Sequence, residues 1–157
     1  MIVGHGVDVC DVARIQRALE APNGDRFRAR VFTAAEQAYC EARRRARFAS
    51  YAARFAAKEA AMKALGTGWG EGVGWHDFEV VRGTSGPPRL VLHGVAAKLA
   101  AKRRMRRWSI TLGHTASLGI ASVVVEDGPG VTRAAAAVGR RRGAGGGRAR
   151  PRRRGRR

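Results

Sequence analysis

The feature that most constrains the fold is one long helical segment near the middle of the chain. From about Arg47 to Leu65 the sequence is dense in alanine, which is the strongest helix former. The pattern ends at Gly66, a residue type that commonly terminates helices. No other helical pattern in the chain is as long, so the remaining elements are expected to pack around this helix.

Shorter helical and strand patterns occupy the rest of the chain. The valine-rich segment Ile2 to Cys10 predicts a strand, and Asp11 and Thr33 are the expected N-caps of two further helices, which end near Glu20 and Glu41. The later segments predict a hairpin, a helix and two closing strands, over His76–Arg82, Arg89–His93, Gly94–Arg104, Trp108–Leu112 and Leu118–Glu126. This order predicts an α+β domain in which an antiparallel sheet packs with one long helix and shorter helices.

Positive charge is distributed unevenly along the chain. The formal net charge is +19, and the 11 arginines of residues 133–157, which include no acidic residue, leave +8 for the remainder. A segment rich in arginine and glycine with few apolar side chains cannot offset the entropy lost on ordering. We therefore expect one domain over residues 1–128 and a disordered Arg/Gly-rich tail over residues 129–157.

Several classes of protein are excluded by the same sequence. Arginine or glycine interrupts every alanine-rich run, so no segment approaches the roughly 18 apolar residues of a membrane helix. The N-terminal segment lacks the basic and apolar regions of a secretion signal. Cys10 and Cys40 are interpreted as reduced thiols, which predicts a cytoplasmic protein without a membrane partner.

The basic composition favours an anionic partner. One interpretation is a nucleic-acid-binding protein that acts through the arginine-rich tail. The other is an enzyme domain whose own ligands are anions, in which case the domain is not expected to bind nucleic acid.

Two groups of charged residues are candidates for chemistry. On the long helix, Phe55, Glu59, Met62 and Lys63 fall within one arc, with Lys58 beside it. Such a set is typical either of an exposed Glu–Lys pair or of a functional site. The sequence alone leaves both interpretations open.

Asp8 is unusual because its carboxylate lies in an otherwise apolar strand. Such a group must be paired, capped or bound to a cation. Asp8 and Glu59 could jointly hold a hard divalent cation, although the sequence does not show that they meet. Gly66 and Gly68 could bind a phosphate through backbone N–H groups or could simply cap the helix. His114 lies in a turn, where functional residues are common.

Three segments resemble one family: GHGVDVCDVARI at residues 4–15, RFAAKEAAMKALGTG at residues 54–68 and WSITLGHTASLGIASVVVE at residues 108–126. They are similar to the bacterial holo-acyl-carrier-protein synthases, the short group of 4′-phosphopantetheinyl transferases. The resemblance implies the fold of that family. It also implies Mg²⁺-dependent transfer of phosphopantetheine from coenzyme A to a serine of an apo acyl-carrier protein, with release of adenosine 3′,5′-bisphosphate and with Mn²⁺ as an alternative metal.

The resemblance also assigns site residues. Asp8 and Glu59 match the metal ligands, Lys63 matches a lysine near the diphosphate, and Glu59 is the expected base for the serine proton. The positions that match coenzyme A contacts are Arg54, Lys58, Lys63, Gly66, Gly68, Pro87, His114 and Thr115. An acidic carrier protein is expected to dock on Arg14, Arg17, Arg26 and Arg28.

Family membership would further imply a homotrimer with active sites between protomers, and a place in fatty acid biosynthesis. Two residues depart from the family pattern: Gly113 stands where a serine is usual, and His5 stands where an aliphatic residue is usual. The arginine-rich tail has no counterpart in the usual family length.

Overall fold

The computed structural model describes residues 1–68, 72–82 and 86–128. The α+β class predicted from the sequence is confirmed, with one long helix among five. The two short 3-10 helices cover Arg44–Ala46 and Trp75–Asp77. In chain order the main elements are β1 (Ile2–Asp11), α1 (Val12–Glu20), α2 (Gly24–Val31), α3 (Ala34–Glu41), α4 (Arg47–Leu65), β2 (Phe78–Val81), β3 (Arg89–Leu92), α5 (Gly94–Lys102), β4 (Arg107–His114) and β5 (Leu118–Glu126).

The long helix α4 has the predicted bounds and is buried along most of its length. It ends at Gly66, whose left-handed φ of 82° suits a residue without a Cβ. The Gly66 N–H donates to the carbonyl oxygens of Met62 and Lys63. Within the described ranges, neither α4 nor any other helix combines the length and apolarity needed to cross a membrane.

The strands form two sheets where the sequence predicted one. Strands β1, β5 and β4 form an antiparallel sheet in that spatial order, and β2 and β3 form a separate antiparallel pair. The first and last strands of the chain are therefore neighbours, with Asp8 opposite Ala121. Hydrophobic patterning identified each strand, but it could not show which strands share a sheet, because β1 and β5 pair from opposite ends of the chain.

Glycines on the large sheet allow close contact with α4. A Cβ on Gly6 would overlap the Ala60 carbonyl oxygen and would lie 2.9 Å from the Cβ of Lys63. A Cβ on Gly119 would overlap the α4 backbone at Ala53. The sheet therefore packs on α4 almost backbone to backbone, which places the β1 side chains directly beside those of α4.

The remaining differences from the prediction are local. Helix α2 was not predicted as a helix, because its arginines interrupt the apolar period. The strand predicted from His76 begins only at Phe78, after a 3-10 turn, and the helix predicted to Arg104 ends at Lys102. The predicted tail lies outside the described residues, so the division at residue 128 stays a prediction.

Candidate active site

The carboxylate of Asp8 meets Lys63 where β1 crosses α4. The Lys63 Nζ lies 2.9 Å from Asp8 Oδ1 and donates a second hydrogen bond, of 3.1 Å, to the Val7 carbonyl oxygen. The side chains of Asp8 and Lys63 are 18% and 51% exposed, respectively, so the pair lies at an accessible edge of the core. The Asp8 carboxylate, which is unusual in an apolar strand, therefore has a cationic partner. That partner, the Lys63 side chain, is about half exposed to solvent.

Asp8 and Glu59 both influence the pKa of the buried Cys10 thiol. Burial raises the pKa of Cys10 to about 11, the Arg14 guanidinium opposes this increase, and the carboxylates of Asp8, Asp11 and Glu59 add to it. The negative charges of Asp8 and Glu59 therefore both act on one thiol, although 51 positions separate them in the sequence. Of the three residues predicted for catalysis, Asp8 and Lys63 are in contact, and Glu59 lies one helical turn before Lys63 on α4.

A cavity of about 400 Å³ lies beside this cluster, and Glu59 forms part of its wall. Phe55 and Trp75 supply an aromatic wall, with ring centroids 4.9 Å apart. The Arg14 guanidinium lies 5.6 Å from the centre of the Phe55 ring and forms part of the rim. We call this space the acidic cavity, after Glu59. It extends from the Glu59 carboxylate to Arg14, on the face where a carrier protein is predicted to dock.

The predicted docking residues differ in how they are placed. Arg14 and Arg17 lie exposed on α1, and Arg26 lines a small cavity of about 240 Å³ on α2. Arg28 is instead engaged with Asp25 and with Glu41, the latter at 3.3 Å, so its charge is largely neutralised. Arg30 was missed by the sequence analysis, yet it lines both the acidic cavity and the small α2 cavity.

A second cavity, of about 300 Å³, lies on another side of α4 and is lined by several basic side chains. Arg54, Arg43, Arg82 and His114 all line it, and we call it the basic cavity. The Arg54 side chain is only 3% exposed, and within the described residues its Nε has no hydrogen-bond partner. A buried, unpartnered N–H group in a cavity of positive charge indicates a site for an anion.

Tyr39 organises three of these cations. The guanidinium of Arg54 stacks 3.8 Å from the centre of the Tyr39 ring, while Arg43 and Arg82 donate hydrogen bonds to the phenol oxygen. Burial tends to raise the pKa of Tyr39, but these hydrogen bonds and the two positive charges outweigh it, so that the pKa is lowered. Arg43, Arg82 and Tyr39 were missed because Arg82 lies about 40 positions beyond the other two and meets Tyr39 only in the folded chain.

His114 connects the basic cavity to a neighbouring one of about 440 Å³. That neighbouring cavity is lined by His114, Thr115 and Arg45, among others. His114 and Thr115, both predicted to contact coenzyme A, therefore lie together at the end of β4. Gly113 lines the basic cavity beside His114, at the position where the family pattern has a serine.

Lys58 does not reach either cavity surface. Its side chain is 0% exposed, and its ammonium group lies 2.9 Å from Glu36 Oε2. Burial lowers the pKa of Lys58, and the Glu36 carboxylate opposes this shift. Neighbouring groups of the protein enclose the ammonium, and the contact between Lys58 and coenzyme A stays a prediction.

The glycines and the proline of the prediction lie at the ends of elements. Gly66 caps α4, and Gly68 follows it with a left-handed φ of 53°. Pro87 is exposed and lies two positions before β3. Their contacts with coenzyme A stay predictions.

The acidic and basic cavities lie on different sides of one helix. Arg54 and Glu59 are five residues apart, which corresponds to a rotation of about 140° around α4. The lining residues of the two cavities do not overlap.

Comparison with known proteins gives consistent matches. Residues 4–118 match the family model described as the 4′-phosphopantetheinyl transferase superfamily. The holo-[acyl-carrier-protein] synthase of Solibacter usitatus is 53% identical over 127 residues, covering 81% of this chain and 100% of that protein.

Two solved structures are similar in fold. The holo-[acyl-carrier-protein] synthase of Neisseria meningitidis has a TM-score of 0.71 and 28% identity, over 80% of this chain and 99% of that one. The Helicobacter pylori synthase, solved in complex with coenzyme A, has a TM-score of 0.67 and 26% identity, over 78% of this chain and 99% of that one.

Proposed function

The chain belongs to the 4′-phosphopantetheinyl transferase superfamily, and we propose that it transfers the phosphopantetheine group of coenzyme A to a serine of an apo acyl-carrier protein. It is an enzyme of the holo-[acyl-carrier-protein] synthase type. The observation that carries the proposal is the ion pair of Asp8, on β1, with Lys63, which lies one turn from Glu59 on α4.

The donor set at this site fits a magnesium ion. Asp8 and Glu59 offer carboxylate oxygens, and Mg²⁺ commonly takes one or two carboxylates and completes its shell with water and substrate phosphates. Among the described residues, no group of three or more His, Cys, Asp or Glu side chains could hold a metal ion. When bound, Mg²⁺ or Mn²⁺ would neutralise charge on the diphosphate.

The reaction exchanges one bond to phosphorus for another. The serine oxygen forms a bond to the β-phosphorus of coenzyme A, and the bond from that phosphorus to the oxygen of the leaving adenosine 3′,5′-bisphosphate breaks. The serine proton passes to the Glu59 carboxylate, which lies on the cavity that a carrier serine would enter. Lys63 exchanges its contact with Asp8 for the phosphate oxygens, and its ammonium group stabilises the charge that develops on them.

The nucleotide end of coenzyme A fits the basic cavity. Arg54, Arg43 and Arg82 supply guanidinium groups for phosphate oxygens, and His114 and Thr115 extend the site toward the neighbouring cavity. Lys58 is not included among these contacts because it is buried with Glu36. Gly66, Gly68 and Pro87 remain proposed contacts on the basis of the resemblance.

A homotrimer would bring an acidic cavity of one protomer to a basic cavity of the next. The two cavities lie about 140° apart around α4, so a ligand that contacts both needs two copies of the chain. An apolar face of the large sheet could form such an interface: five of its side chains are between 38% and 50% exposed, namely Val3, Val7, Val9, Leu118 and Ile120. A head-to-tail contact that closes into a ring gives each protomer the same pair of half-sites.

The carrier protein would dock beside the acidic cavity. Arg14 and Arg30 lie on its wall, and Arg17 and Arg26 extend the positive surface along α1 and α2. Arg28 contributes less, because Asp25 and Glu41 already pair with it. Such a surface attracts the acidic recognition helix of a carrier and orients its serine toward Glu59.

The cellular setting proposed with this activity is the cytoplasm and fatty acid biosynthesis. Cys10 and Cys40 are free and buried, in agreement with a reducing compartment. The nucleic-acid-binding interpretation depends on residues 129–157, which lie outside the described residues, and removal of this segment tests it. The transferase proposal expects the truncated chain to retain full activity.

The direct test is to incubate the full chain with coenzyme A, Mg²⁺ and an apo acyl-carrier protein. Intact mass spectrometry of the carrier should show the addition of one phosphopantetheine group, and chromatography should show adenosine 3′,5′-bisphosphate in equal amount. A folded chain that leaves a competent carrier unmodified would overturn the proposal.

A further inference from the structure

Lys58 and Glu36 form a buried ion pair in which every donor of the ammonium group has an acceptor. The Lys58 Nζ lies 2.9 Å from Glu36 Oε2 and donates to the carbonyl oxygens of Trp75, at 2.9 Å, and Phe78, at 2.5 Å. Both side chains of the pair are 0% exposed. Three acceptors, from α3, from the 3-10 turn at Trp75 and from the first residue of β2, therefore fix the position of the Lys58 Nζ atom.

Glu36 extends these restraints to two further elements. Its Oε2 accepts a hydrogen bond from the Thr33 N–H, and its Oε1 accepts one from the Val80 N–H, both of 2.9 Å. The carboxylate thus joins the first turn of α3, strand β2 and helix α4. The pair acts as a common attachment point for three successive elements of the chain, α3, α4 and β2.

Stability alone does not account for a pair of this kind. Removing two charges from water carries a large desolvation cost, and well-packed apolar residues of similar volume are often at least as stabilising as a buried ion pair. An apolar pair would not provide directional contacts. The three acceptors around Lys58 specify both the height and the rotation of α4, whereas methyl and methylene contacts leave some freedom.

The restraint acts beside the acidic cavity. Lys58 immediately precedes Glu59, and the carbonyl group that it holds belongs to Trp75, whose ring packs against Phe55. Glu59, Phe55 and Trp75 all line the acidic cavity. A rotation of α4 by even a small angle would move the Glu59 carboxylate relative to Asp8 on β1.

We propose that the buried Lys58–Glu36 pair is a positioning device that fixes the rotation of α4, and with it the Glu59 carboxylate and the Trp75 wall of the acidic cavity. This inference rests on the proposed transferase function, because it assigns the pair a role in the same reaction. Lys58 is a positioning residue and touches neither substrate nor reacting atoms.

The test compares Lys58→Met, Glu36→Gln and the double variant with wild type. Each single variant leaves one buried charge unpaired, so both should unfold at lower temperature. The double variant removes both charges, and the glutamine can still accept a hydrogen bond from Val80. It should recover most of the unfolding temperature. Lys98→Met, a change of an exposed lysine on α5, is the matched control.

Kinetics of the double variant separate positioning from stability. We expect kcat to remain about tenfold or more below wild type, because small displacements of reacting groups have large effects on rate. KM for coenzyme A should change by less than about threefold, since Lys58 does not touch the basic cavity that would bind the nucleotide. The Kd for Mn²⁺ alone, measured by electron paramagnetic resonance, should rise about fivefold, because the two carboxylates would no longer be held in position.

The outcomes are distinguishable. If the double variant regains the wild-type kcat and Mn²⁺ affinity together with its stability, the pair is merely structural and the inference is wrong. If wild type binds coenzyme A but modifies no carrier, the proposed function fails, and the inference with it. An effect of equal size in Lys98→Met would also overturn the inference.

Discussion

The acidic and basic cavities are built from the same helix but in opposite ways. In the acidic cavity, Glu59 lies beside an aromatic wall, and the adjacent Asp8–Lys63 pair is exposed enough to exchange partners. In the basic cavity, three guanidinium groups surround a phenol, and one of them, on Arg54, is almost fully buried. Groups that change partners during a reaction are accessible, whereas groups that only hold an anion can be fixed in the core.

This contrast predicts that the rate of the chemical step and the affinity for coenzyme A depend on different cavities. Variants of the acidic cavity should lower the rate of the chemical step, and variants of the basic cavity should lower the affinity for coenzyme A. If each chain uses its two cavities for different bound molecules, the two kinds of defect should also complement each other.

The largest expected effect is that of Glu59→Gln. Replacing the carboxylate with an amide of the same shape removes the group proposed as base and as metal ligand, so kcat should fall by about a thousandfold or more. Binding of coenzyme A, measured by calorimetry without metal, should change little. Glu20→Gln, at the exposed end of α1, is the control, and a thousandfold loss there would show that the effect is not specific to the cavity.

A mixture of two impaired chains should regain activity if the active site lies between protomers. One chain carries Glu59→Gln, and the other carries Arg54→Met together with His114→Ala. After subunit exchange at equal concentrations, about one site in four would combine two intact half-sites, so the rate should approach about a quarter of wild type. A rate that stays at the sum of the separate chains would place the whole site within one protomer.

A smaller effect is expected for Arg54→Met. The substitution removes a buried guanidinium without leaving a charge behind, so stability should be retained while KM for coenzyme A rises about tenfold, the usual scale for a lost hydrogen bond to a charged group. The kcat value should remain within about threefold of wild type. Arg89→Met, which changes an exposed arginine at the start of β3, serves as the control in the same steady-state assay. A fall in kcat with unchanged KM would contradict the division of roles.

The long helix and the charge at Asp8 could be predicted from the sequence, because each is a local signal. Alanine density and Gly66 define α4, and a carboxylate within an apolar strand requires a partner. The identity of that partner was less accessible, since Lys63 lies 55 positions away and meets Asp8 only when β1 crosses α4. The resemblance to a family assigned both residues to one site, Asp8 as a metal ligand and Lys63 near the diphosphate, but it did not predict the ion pair that they form in the structure.

The sequence could not separate the roles of neighbouring charged residues on α4. Lys58 lies beside Glu59 on the helical arc, yet its side chain points into the core toward Glu36. Conversely, Tyr39, Arg43 and Arg82 carry no shared motif, and Arg82 joins the other two only through the packing of two distant segments. Burial and long-range contact, which decide these cases, are properties of the folded chain.

The contact between the glycines of the large sheet and α4 has a consequence for how this protein can change over evolutionary time. Because Gly6 and Gly119 meet the helix through backbone atoms, the spacing between strand and helix does not depend on the volume of any side chain. Substitutions elsewhere in the core, apart from the Lys58–Glu36 pair, can accumulate and lower stability without altering the separation between β1 and α4. Heritable variation in stability and variation in catalytic geometry are thereby largely independent, except at these glycines and at the Lys58–Glu36 pair.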